Sequence, residues 1–438
     1  MRTARDNLWL DAPYEPGPSL TGDLKTDVAI VGGGLTGLAS AYFIKKRFPE
    51  KRVIVLESKF IGFGSSGRNS GIATGMLGNS ALLLKKTHGR EKAARLQQLA
   101  AQGFLLFEEL VKEHGIDCDY ERSGRLVIAE NGKAMKLLEQ EARACEETGA
   151  PVTWLERQEV HSRLGALDAF AGLYSPDEGK LNPAKFVRGM RKVVESLGVE
   201  VYEYSHCAHM EPGSTISLYT PLAHVRAATI VMATNAYENP LGLFRYKVLP
   251  FYVYNIVTEP LTKGQMDEFR WAGKFAVFNQ KNLFWMGRLT ADNRLLFIDN
   301  DALYFYRVDR DYSHRPSEYR SHFRLLIKTF PFLKGIEVTH QWGGRIGITL
   351  DFLPSIGRTG KHRNIYYSMG YNGHGVTFSQ LAGKMLAELM AGEKTELTDH
   401  MLINKAVFGV PSASVMYLGI NAYKSYFRIL DLMLDMGK

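Results

Sequence analysis

The sequence contains little cysteine. Only three cysteines occur in 438 residues, and they are widely spaced, odd in number and free of any C-x-x-C pair. This scarcity argues against a disulfide framework and a zinc site, so no metal is expected and a reducing cytoplasm suits the chain. The opening stretch "MRTARDNLWLDAPYEPG" lacks the apolar segment that a secretory signal needs.

Blocks of charge of one sign are also lacking. The net charge is +8, and no run of five or six basic residues occurs. Dispersed charge predicts an ordinary solvated surface, with a preference for anionic substrates or anionic membrane surfaces as the alternative. A basic, aromatic surface of the kind that binds RNA is not evident, so no nucleic-acid partner is expected.

A membrane-spanning apolar run is missing as well. Residues 406–423 carry no charge, but Pro411, Ser412, Ser414 and Asn421 interrupt them. A spanning helix needs about 20 apolar residues in succession. We expect this segment to pack on the protein's own surface. The basic, aromatic "YKSYFR" that follows leaves peripheral membrane contact as the alternative.

A glycine turn is the first informative feature that is present. The stretch "DVAIVGGGLTGL" places Gly32, Gly34 and Gly37 between an apolar strand and a helix. In such a turn the glycines permit the bend, let the backbone approach a pyrophosphate, and let the helix lie close on the sheet. Glu57 ends the next apolar strand 20 residues after Gly37, where an acid accepts hydrogen bonds from a ribose. We predict a dinucleotide site, the alternative being glycines kept only for packing.

A second loop rich in glycine and serine follows Glu57. It is "GFGSSGRNSGIATG", at residues 62–75. Such a loop exposes backbone N–H groups and small hydroxyls, which can wrap a second phosphate and pass beside a flat ring. A nicotinamide-dependent dehydrogenase does not need this loop, so FAD is predicted rather than NAD.

The rest of the pattern predicts two interleaved domains. Residues 228–237 form a predicted buried strand, and residues 363–392 a strand, a glycine loop and a helix. From about 245 to 340 the dense, alternating aromatic residues indicate antiparallel strands. The expected fold is α/β, of two-domain α+β type. The expected segments are 1–115, 171–242 and 341–400 for the FAD-binding domain, 116–170 and 243–340 for the substrate-binding domain, and 401–438 for a helical tail.

Short motifs in a fixed order extend this interpretation. They are "GGGLTGL", "LES", "GFGSSGRNSG", "SGRL", "DEGKLNPAKFVRG", "VMATNAY", "VTEPL", "WGGRIGITLDFLPSIG" and "GYNGHGV". From about residue 7 to 395 the chain resembles the D-amino-acid-oxidase-like superfamily of FAD-dependent oxidoreductases. Within it the chain is most similar to γ-glutamylputrescine oxidase-like and glycine–sarcosine oxidase-like amine oxidases. The resemblance implies a Rossmann-like FAD/NAD(P)-binding domain of GR2-type topology with an antiparallel substrate domain.

The resemblance also implies which residues contact FAD. The flavin is expected to be non-covalent, because "GSSGRNSG" has no histidine and "WGGRIGIT" no cysteine. The helix after "GYNGHGV" is implied to point at the pyrimidine ring, and Cys207 to be a small hydrophobe near adenine. Arg68 as a plain surface charge is an open alternative. The implied contacts are Gly32, Gly33, Gly34, Leu35, Thr36, Gly37, Glu57, Ser58, Ser65, Ser66, Gly67, Arg68, Asn69, Gly71, Cys207, Ala233, Thr234, Gly344, Asn372, Gly373, His374, Gly375, Val376 and Thr377.

The reaction implied by the resemblance is oxidation of the C–N bond of an amine or amino acid, with γ-glutamylated amines among the candidates. Hydride passes to flavin N5, the imine hydrolyses in water, and oxygen or another electron acceptor is the second partner. Arg345, His374, Tyr254 and Trp285 are the candidate catalytic residues, each with a purely structural role as the alternative. The alternative activities are a hydroxy-acid or glycerol-phosphate dehydrogenase, a tRNA-modifying flavoenzyme, and an FAD-binding protein without activity.

Overall fold

The structure is a computed structural model that describes residues 4–78, 80–237, 242, 244, 246–299, 301–305 and 311–436. Within these residues, 3₁₀ turns lie at Leu8–Leu10 and Pro331–Leu333. The strands are β1 (Gly22–Val31), β2 (Val53–Leu56), β3 (Ile72–Thr74), β4 (Arg125–Ala129), β5 (Thr153–Glu156), β6 (Ala171–Ser175), β7 (Glu178–Lys180), β8 (Glu200–Tyr202), β9 (His209–Glu211), β10 (Ile216–Tyr219), β11 (Ala223–Met232), β12 (Leu249–Pro260), β13 (Ala276–Asn279), β14 (Trp285–Leu289), β15 (Arg294–Asp299), β16 (Leu303–Tyr304), β17 (Val338–Ile348), β18 (Ser355–Thr359) and β19 (Ile365–Met369).

The helices follow the same order. They are α1 (Leu35–Arg47), α2 (Ser65–Arg68), α3 (Ala81–His88), α4 (Arg90–Glu113), α5 (Gly132–Thr148), α6 (Arg157–Arg163), α7 (Pro183–Ser196), α8 (Lys263–Phe269), α9 (Pro316–Thr329), α10 (Gly375–Ala391) and α11 (Ala413–Asp435).

The first sheet is largely parallel. Among the described strands its order is β18-β19-β11-β1-β2-β8, with β10 beside β11 and β9 beside β10. The pairings of β1 with β2 and β11 are parallel. Val28 and Ile30 of β1 pack in the cluster that contains α1, α4, α7 and α10, while Ala29 and Val31 pack with residues of β9 and β10. Because both faces are covered, β1 is a continuous apolar run without alternation.

The second sheet is mainly antiparallel. Its described order is β16-β12-β15-β14-β13-β4-β6-β5, with β17 beside β12. The pairing of β4 with β13 is parallel, whereas β12 pairs antiparallel with β15, β16 and β17. A cluster with Phe269, Phe297 and Phe330 packs against this sheet. A parallel cofactor-type sheet and an antiparallel sheet are thus both present, and the expected fold class is confirmed.

The expected domain boundaries remain a prediction. Strand pairing places β6 beside β4 and β17 beside β12, both in the antiparallel sheet. The expected segments 171–242 and 341–400 assign β6 and most of β17 to the other domain. The pairing therefore favours boundaries after β6 and after β17, because strands of one sheet share one hydrogen-bonded unit.

The predicted tail contains α11. Ser412 caps this helix by accepting a hydrogen bond from the Val415 N–H at 3.3 Å. Met416 packs against Leu249 and Tyr304 of the antiparallel sheet. Among the helices that the structure describes, none combines the length and the apolarity needed to cross a membrane.

Candidate cofactor and substrate site

The first glycine turn is closed by packing against its own backbone. Gly32 has φ +107°, a left-handed conformation that favours glycine. A Cβ on Gly37 would lie 1.8 Å from the Gly32 carbonyl oxygen, and one on Gly34 would lie 2.7 Å from Ser66 Oγ. Gly34 is the N-cap of α1 and supplies no capping side chain. The turn thus brings the N-terminus of α1 against the loop, and in turns of this kind the N–H groups and the helix dipole stabilise a phosphate.

Glu57 stands beside this turn at the end of β2. Its Oε2 accepts from the Gly33 N–H at 2.9 Å, and its Oε1 accepts from the Lys59 N–H at 3.0 Å and from Ser58 Oγ at 3.1 Å. Burial raises the pKa of the Glu57 carboxyl above its ordinary value. The three hydrogen bonds hold the Glu57 side chain beside the glycine turn, which suits the predicted ribose contact.

The second glycine loop packs onto the first. Ser66 Oγ accepts from the Leu35 N–H at 2.9 Å, at the first residue of α1. Asn69 Nδ2 donates to the carbonyls of Ser65 and Ser66 at 3.0 Å each. A Cβ on Gly67 would lie 2.1 Å from the Gly62 carbonyl oxygen. The serines and glycines of "GFGSSGRNSG" therefore form one tight unit with the first turn, which the motif alone could not reveal.

Strand β17 of the antiparallel sheet contacts this second loop. Ser65 Oγ donates to the Arg345 carbonyl. Arg68 Nη1 donates to the Gly343 carbonyl at 3.2 Å, and Trp342 Nε1 donates to the Arg68 carbonyl at 2.8 Å. The absence of side chains at "GG" permits the approach, since a Cβ on Gly344 would lie 3.2 Å from Arg68 Cβ. The two sheets meet at this point.

Arg345 projects from this junction into an aromatic environment. Its Nε donates to Tyr252 Oη at 2.6 Å. Its guanidinium lies 5.6 Å from the ring centroid of Tyr237 and 5.4 Å from that of Tyr252. Burial raises the pKa of Tyr237, and the nearby charges of Arg68 and Arg345 oppose that rise. Two guanidinium groups beside one partly buried tyrosine make this region favourable for an anion.

The third glycine loop, residues 370–375, is fixed from two sides. Thr36 Oγ1, at the start of α1, donates to Tyr371 Oη at 2.8 Å. Asn372 Oδ1 accepts from the Thr349 N–H at 2.8 Å, just after β17. Thr377 Oγ1, in the first turn of α10, donates to the Thr74 carbonyl at 2.7 Å. The N-termini of α1 and α10, far apart in sequence, are thereby held together.

His374 occupies the N-cap position of α10 without capping it through its side chain. Its Nδ1 lies 3.1 Å from the Asn372 carbonyl oxygen. Burial first, and then the charge of Arg125, lower the pKa of His374 to about 4. The imidazole is therefore neutral at physiological pH and donates its Nδ1–H within the loop, which agrees with the structural alternative for this residue.

A buried ion pair beside this loop escaped the sequence reasoning. Glu178 lies opposite Thr74 in the β3–β7 pair, and its Oε1 is 3.0 Å from Arg125 Nε. Burial raises the pKa of Glu178 to about 7. Arg125 Nη2 also lies 2.7 Å from Met76 Sδ. "SGRL" and "DEGK" contain these residues, but nothing in either motif indicates that the two charges meet.

Cys207, Ala233 and Thr234 lie near the parallel sheet. Cys207 is buried with Val31 and Leu56, and burial raises the pKa of its thiol to about 11, so it is an inert small hydrophobe. The Ala233 N–H donates to the Val31 carbonyl at 2.9 Å, directly beside the first glycine turn.

Comparison with known proteins gives the family. The model of the DAO family, described as FAD dependent oxidoreductase, matches residues 27–389. The chain belongs to this family. It is 32% identical over 383 residues to gamma-glutamylputrescine oxidoreductase of Escherichia coli (strain K12), covering 87% of each chain. Its fold is similar to crystal structures of glycine oxidase from Geobacillus kaustophilus (TM-score 0.72, 22% identity, 85% and 96% of the chains) and of L-proline dehydrogenase from P.horikoshii (TM-score 0.71, 20% identity, 86% and 96%).

The DAO family identifies the cofactor as FAD, and the residues fit it. The three glycine loops together form a cradle from which side chains are excluded. Gly37 and Gly67 cannot accept a Cβ without backbone clashes, and Gly373 has φ +91° with open space around it. Glu57 meets the requirement for the ribose, and the two long helices α1 and α10 begin at glycine-rich loops. The individual contacts named from the sequence remain predictions.

Tyr254 and Trp285 both lie in the packed cluster of the antiparallel sheet, which in this DAO family member also contains Tyr252. Tyr254 Oη donates to the Tyr312 carbonyl at 2.8 Å, and the ring of Trp285 is stacked on Phe297 with centroids 5.8 Å apart. Their catalytic roles stay predictions, but the burial argues for packing, since a strand with aromatic residues on one face normally points them into a core.

Proposed function

We propose that this FAD-dependent enzyme oxidises the C–N bond of an amine that also carries a carboxylate. The observation that supports the proposal is the position of Arg345. It lies on β17 where that strand contacts the second glycine loop, with its guanidinium between the rings of Tyr237 and Tyr252. A guanidinium at the junction of a cofactor loop and a substrate sheet binds a carboxylate in a fixed orientation.

FAD, when bound, supplies the acceptor for the hydride that leaves the amine carbon. The protein has three tasks. Arg345 holds the carboxylate, and the rings of Tyr237 and Tyr252 exclude water from the amine. The positive charges of Arg68 and Arg345 disfavour a protonated amine, so the neutral amine with its free electron pair is bound. The imine that forms is hydrolysed in water after it leaves.

The substrate class is narrowed by the similarity to gamma-glutamylputrescine oxidoreductase. A γ-glutamylated diamine has a free primary amine at one end and an α-carboxylate at the other, and Arg345 suits the carboxylate. Small N-methyl and α-amino acids combine the same two groups at shorter separation and form the second class to test. The electron acceptor, oxygen or another oxidant, is part of the same proposal.

A cytoplasmic location with soluble small-molecule substrates accompanies this proposal. The low cysteine content supports it. Peripheral contact with a membrane through the tail stays a prediction, which flotation of the protein with lipid vesicles tests.

The proposal is tested by anaerobic reduction of the bound flavin. Purified holoenzyme is mixed with γ-glutamylated amines, α-amino acids, N-methyl amino acids and 2-hydroxy acids, and the loss of flavin absorbance is followed. We expect bleaching by at least one nitrogen compound that carries a carboxylate, with release of ammonia or a smaller amine. Bleaching by 2-hydroxy acids alone would overturn the assignment.

A further inference from the structure

Helix α11 turns its apolar side outward. Leu418 is 69% exposed, and Met436, at the C-cap of the helix, is 78% exposed. The other large apolar residues exposed on the helix include Val415, Tyr426, Ile429, Leu432 and Met433. A soluble protein rarely leaves so long an apolar strip uncovered, so this face is an interaction surface.

The basic residues of α11 face the protein body instead. Lys424 is buried, and its Nζ lies 2.6 Å from Asp301 Oδ1. Arg428 contacts the other oxygen of the same carboxylate. Both cations of α11 are therefore bound to one acid of the antiparallel sheet domain.

The acidic residues of α11 are bound in the same way. Asp431 accepts from the backbone N–H groups of Asn282 at 3.0 Å and Leu283 at 2.8 Å. Asp435 lies 2.8 Å from Lys281 Nζ. Every charged side chain within Ala413–Asp435 thus contacts the body, and the outward face of this described segment carries none. This arrangement is the inverse of an ordinary surface helix.

We propose that the outward face of α11 is the interface of a homodimer, in which α11 lies antiparallel to α11 of a second copy. Apolar and small residues recur on this face at alternating spacings of four and three, as in a coiled-coil seam. They are Val415, Gly419, Ala422, Tyr426, Ile429 and Met433. A two-fold axis brings one surface against itself, which requires a self-complementary face.

The face is self-complementary when the axis passes near residue 424. Ala422 then lies opposite Tyr426 of the second copy, and Gly419 lies opposite its Ile429. Each of these layers pairs a small residue with a large one, so the backbones approach closely and the large side chains fill the space. At 23 residues, α11 is about 34 Å long, sufficient for several such layers.

The same features disfavour a lipid surface as the occupant. A helix that inserts into a membrane interface presents bulky residues at the centre of its apolar face and basic residues toward the headgroups. Here the small residues Gly419 and Ala422 alternate with the bulky Val415, Tyr426 and Ile429 along the centre of the face, and both basic residues are bound to Asp301. An uncharged face of mixed small and large residues fits a second copy of itself better than it fits a headgroup layer.

Sedimentation of the full-length holoenzyme tests the dimer. We expect the native protein to be a dimer at micromolar concentration. Leu418→Arg should weaken dimerisation at least about 10-fold, because a buried unpaired charge opposes association. Leu222→Arg is the matched control, since Leu222 is a similarly exposed leucine (63%) in a turn between β10 and β11. It should stay dimeric. Unchanged flavin content in both variants shows that the fold is intact.

Disulfide trapping tests the antiparallel register. Ala422→Cys and Tyr426→Cys are made separately; the three native cysteines are buried. On oxidation we expect a covalent dimer when the two variants are mixed, and far less with either variant alone. Equal trapping in all three samples would overturn the antiparallel pairing.

Vesicle flotation with Ala422→Trp separates a dimer from a lipid contact. The substitution adds apolar bulk, which weakens a close helix pair and strengthens insertion into lipid. We expect at least about 10-fold weaker dimerisation and no flotation with phosphatidylserine–phosphatidylcholine vesicles. A native chain that is monomeric at tens of micromolar overturns the proposal. If that monomer also floats with vesicles, and the tryptophan variant floats more strongly, lipid is the occupant.

Discussion

The first glycine turn and the face of β12 and β17 build their parts of the site by different means. At the turn the backbone forms the site: because Gly32, Gly34 and Gly37 have no side chains, N–H groups and helix α1 can contact a phosphate. On β12 and β17 the side chains form the site, with Arg345 hydrogen-bonded to Tyr252 across the strand pair. A site built from backbone groups tolerates no added side-chain atom. A site built from side chains tolerates substitution with a partial loss of binding or activity.

The largest effect is expected from Gly37→Ala. The added Cβ would lie 1.8 Å from the Gly32 carbonyl oxygen, so the turn or α1 must shift. Overpacking of about 3 kcal/mol corresponds to roughly 100-fold weaker binding. We expect FAD affinity to fall by about that factor, measured by titrating apoprotein with FAD and following flavin fluorescence.

Gly264→Ala on α8 is the matched control, because a Cβ there has open space. It should bind FAD as the native protein does. If Gly37→Ala binds FAD as tightly as the native protein does, the turn is not a rigid part of the FAD site.

Arg345→Leu should produce the next largest effect, on catalysis and not on cofactor content. Losing a charge-assisted hydrogen bond to a carboxylate costs about 1.5–3 kcal/mol, so kcat/KM should fall roughly 10- to 100-fold, mainly through KM. FAD affinity should stay within about threefold, because the guanidinium is not part of the glycine cradle. The measurement is steady-state kinetics with a substrate found in the bleaching screen.

An analogue of that substrate without the carboxylate provides the control for Arg345→Leu. The variant and the native enzyme should handle the analogue almost equally. An equal loss with both compounds would mean that Arg345 supports the fold or the cofactor and does not select the substrate.

The same contrast explains what the sequence could and could not predict. The turn, its helix and Glu57 are close in sequence, so their spacing alone predicts them. Arg345 could be named as a candidate but not placed, since its neighbours Tyr237 and Tyr252 come from segments about 100 residues away. Local spacing encodes backbone sites, whereas side-chain sites depend on strand pairing that a single sequence does not reveal.

Glu178 extends the comparison to a buried side chain beside the backbone site. Its pKa, about 7 in the folded protein, is above the value of about 4.3 in an unfolded chain. The folded state therefore binds more protons between these values, and the native protein loses stability as pH rises through this window. Glu178→Gln lacks this dependence, although it also deprives Arg125 of its partner at every pH. We expect the variant's free energy of unfolding, relative to native, to rise by roughly 2–3 kcal/mol from pH 5 to pH 8.

Urea unfolding of the holoenzyme at both pH values measures this change. Glu396→Gln, at an exposed position, is the matched control and should follow the native pH dependence. Parallel curves for Glu178→Gln and native protein would show that Glu178 does not titrate in this range.

The smallest effects distinguish two tyrosines on one strand. Tyr252 and Tyr254 lie two residues apart on β12 with both side chains buried, but Tyr252 Oη accepts from Arg345, whereas Tyr254 Oη donates to the Tyr312 carbonyl. Removing either hydroxyl should cost about 1 kcal/mol of stability, the usual contribution of one hydrogen bond.

Only Tyr252→Phe should also lower kcat/KM, by roughly fivefold, because Arg345 loses the bond that orients it. Tyr254→Phe should leave kcat/KM within about twofold, since that hydroxyl fixes a loop. A larger kinetic loss in Tyr254→Phe would restore Tyr254 as a catalytic residue and place the substrate further along the same face of β12.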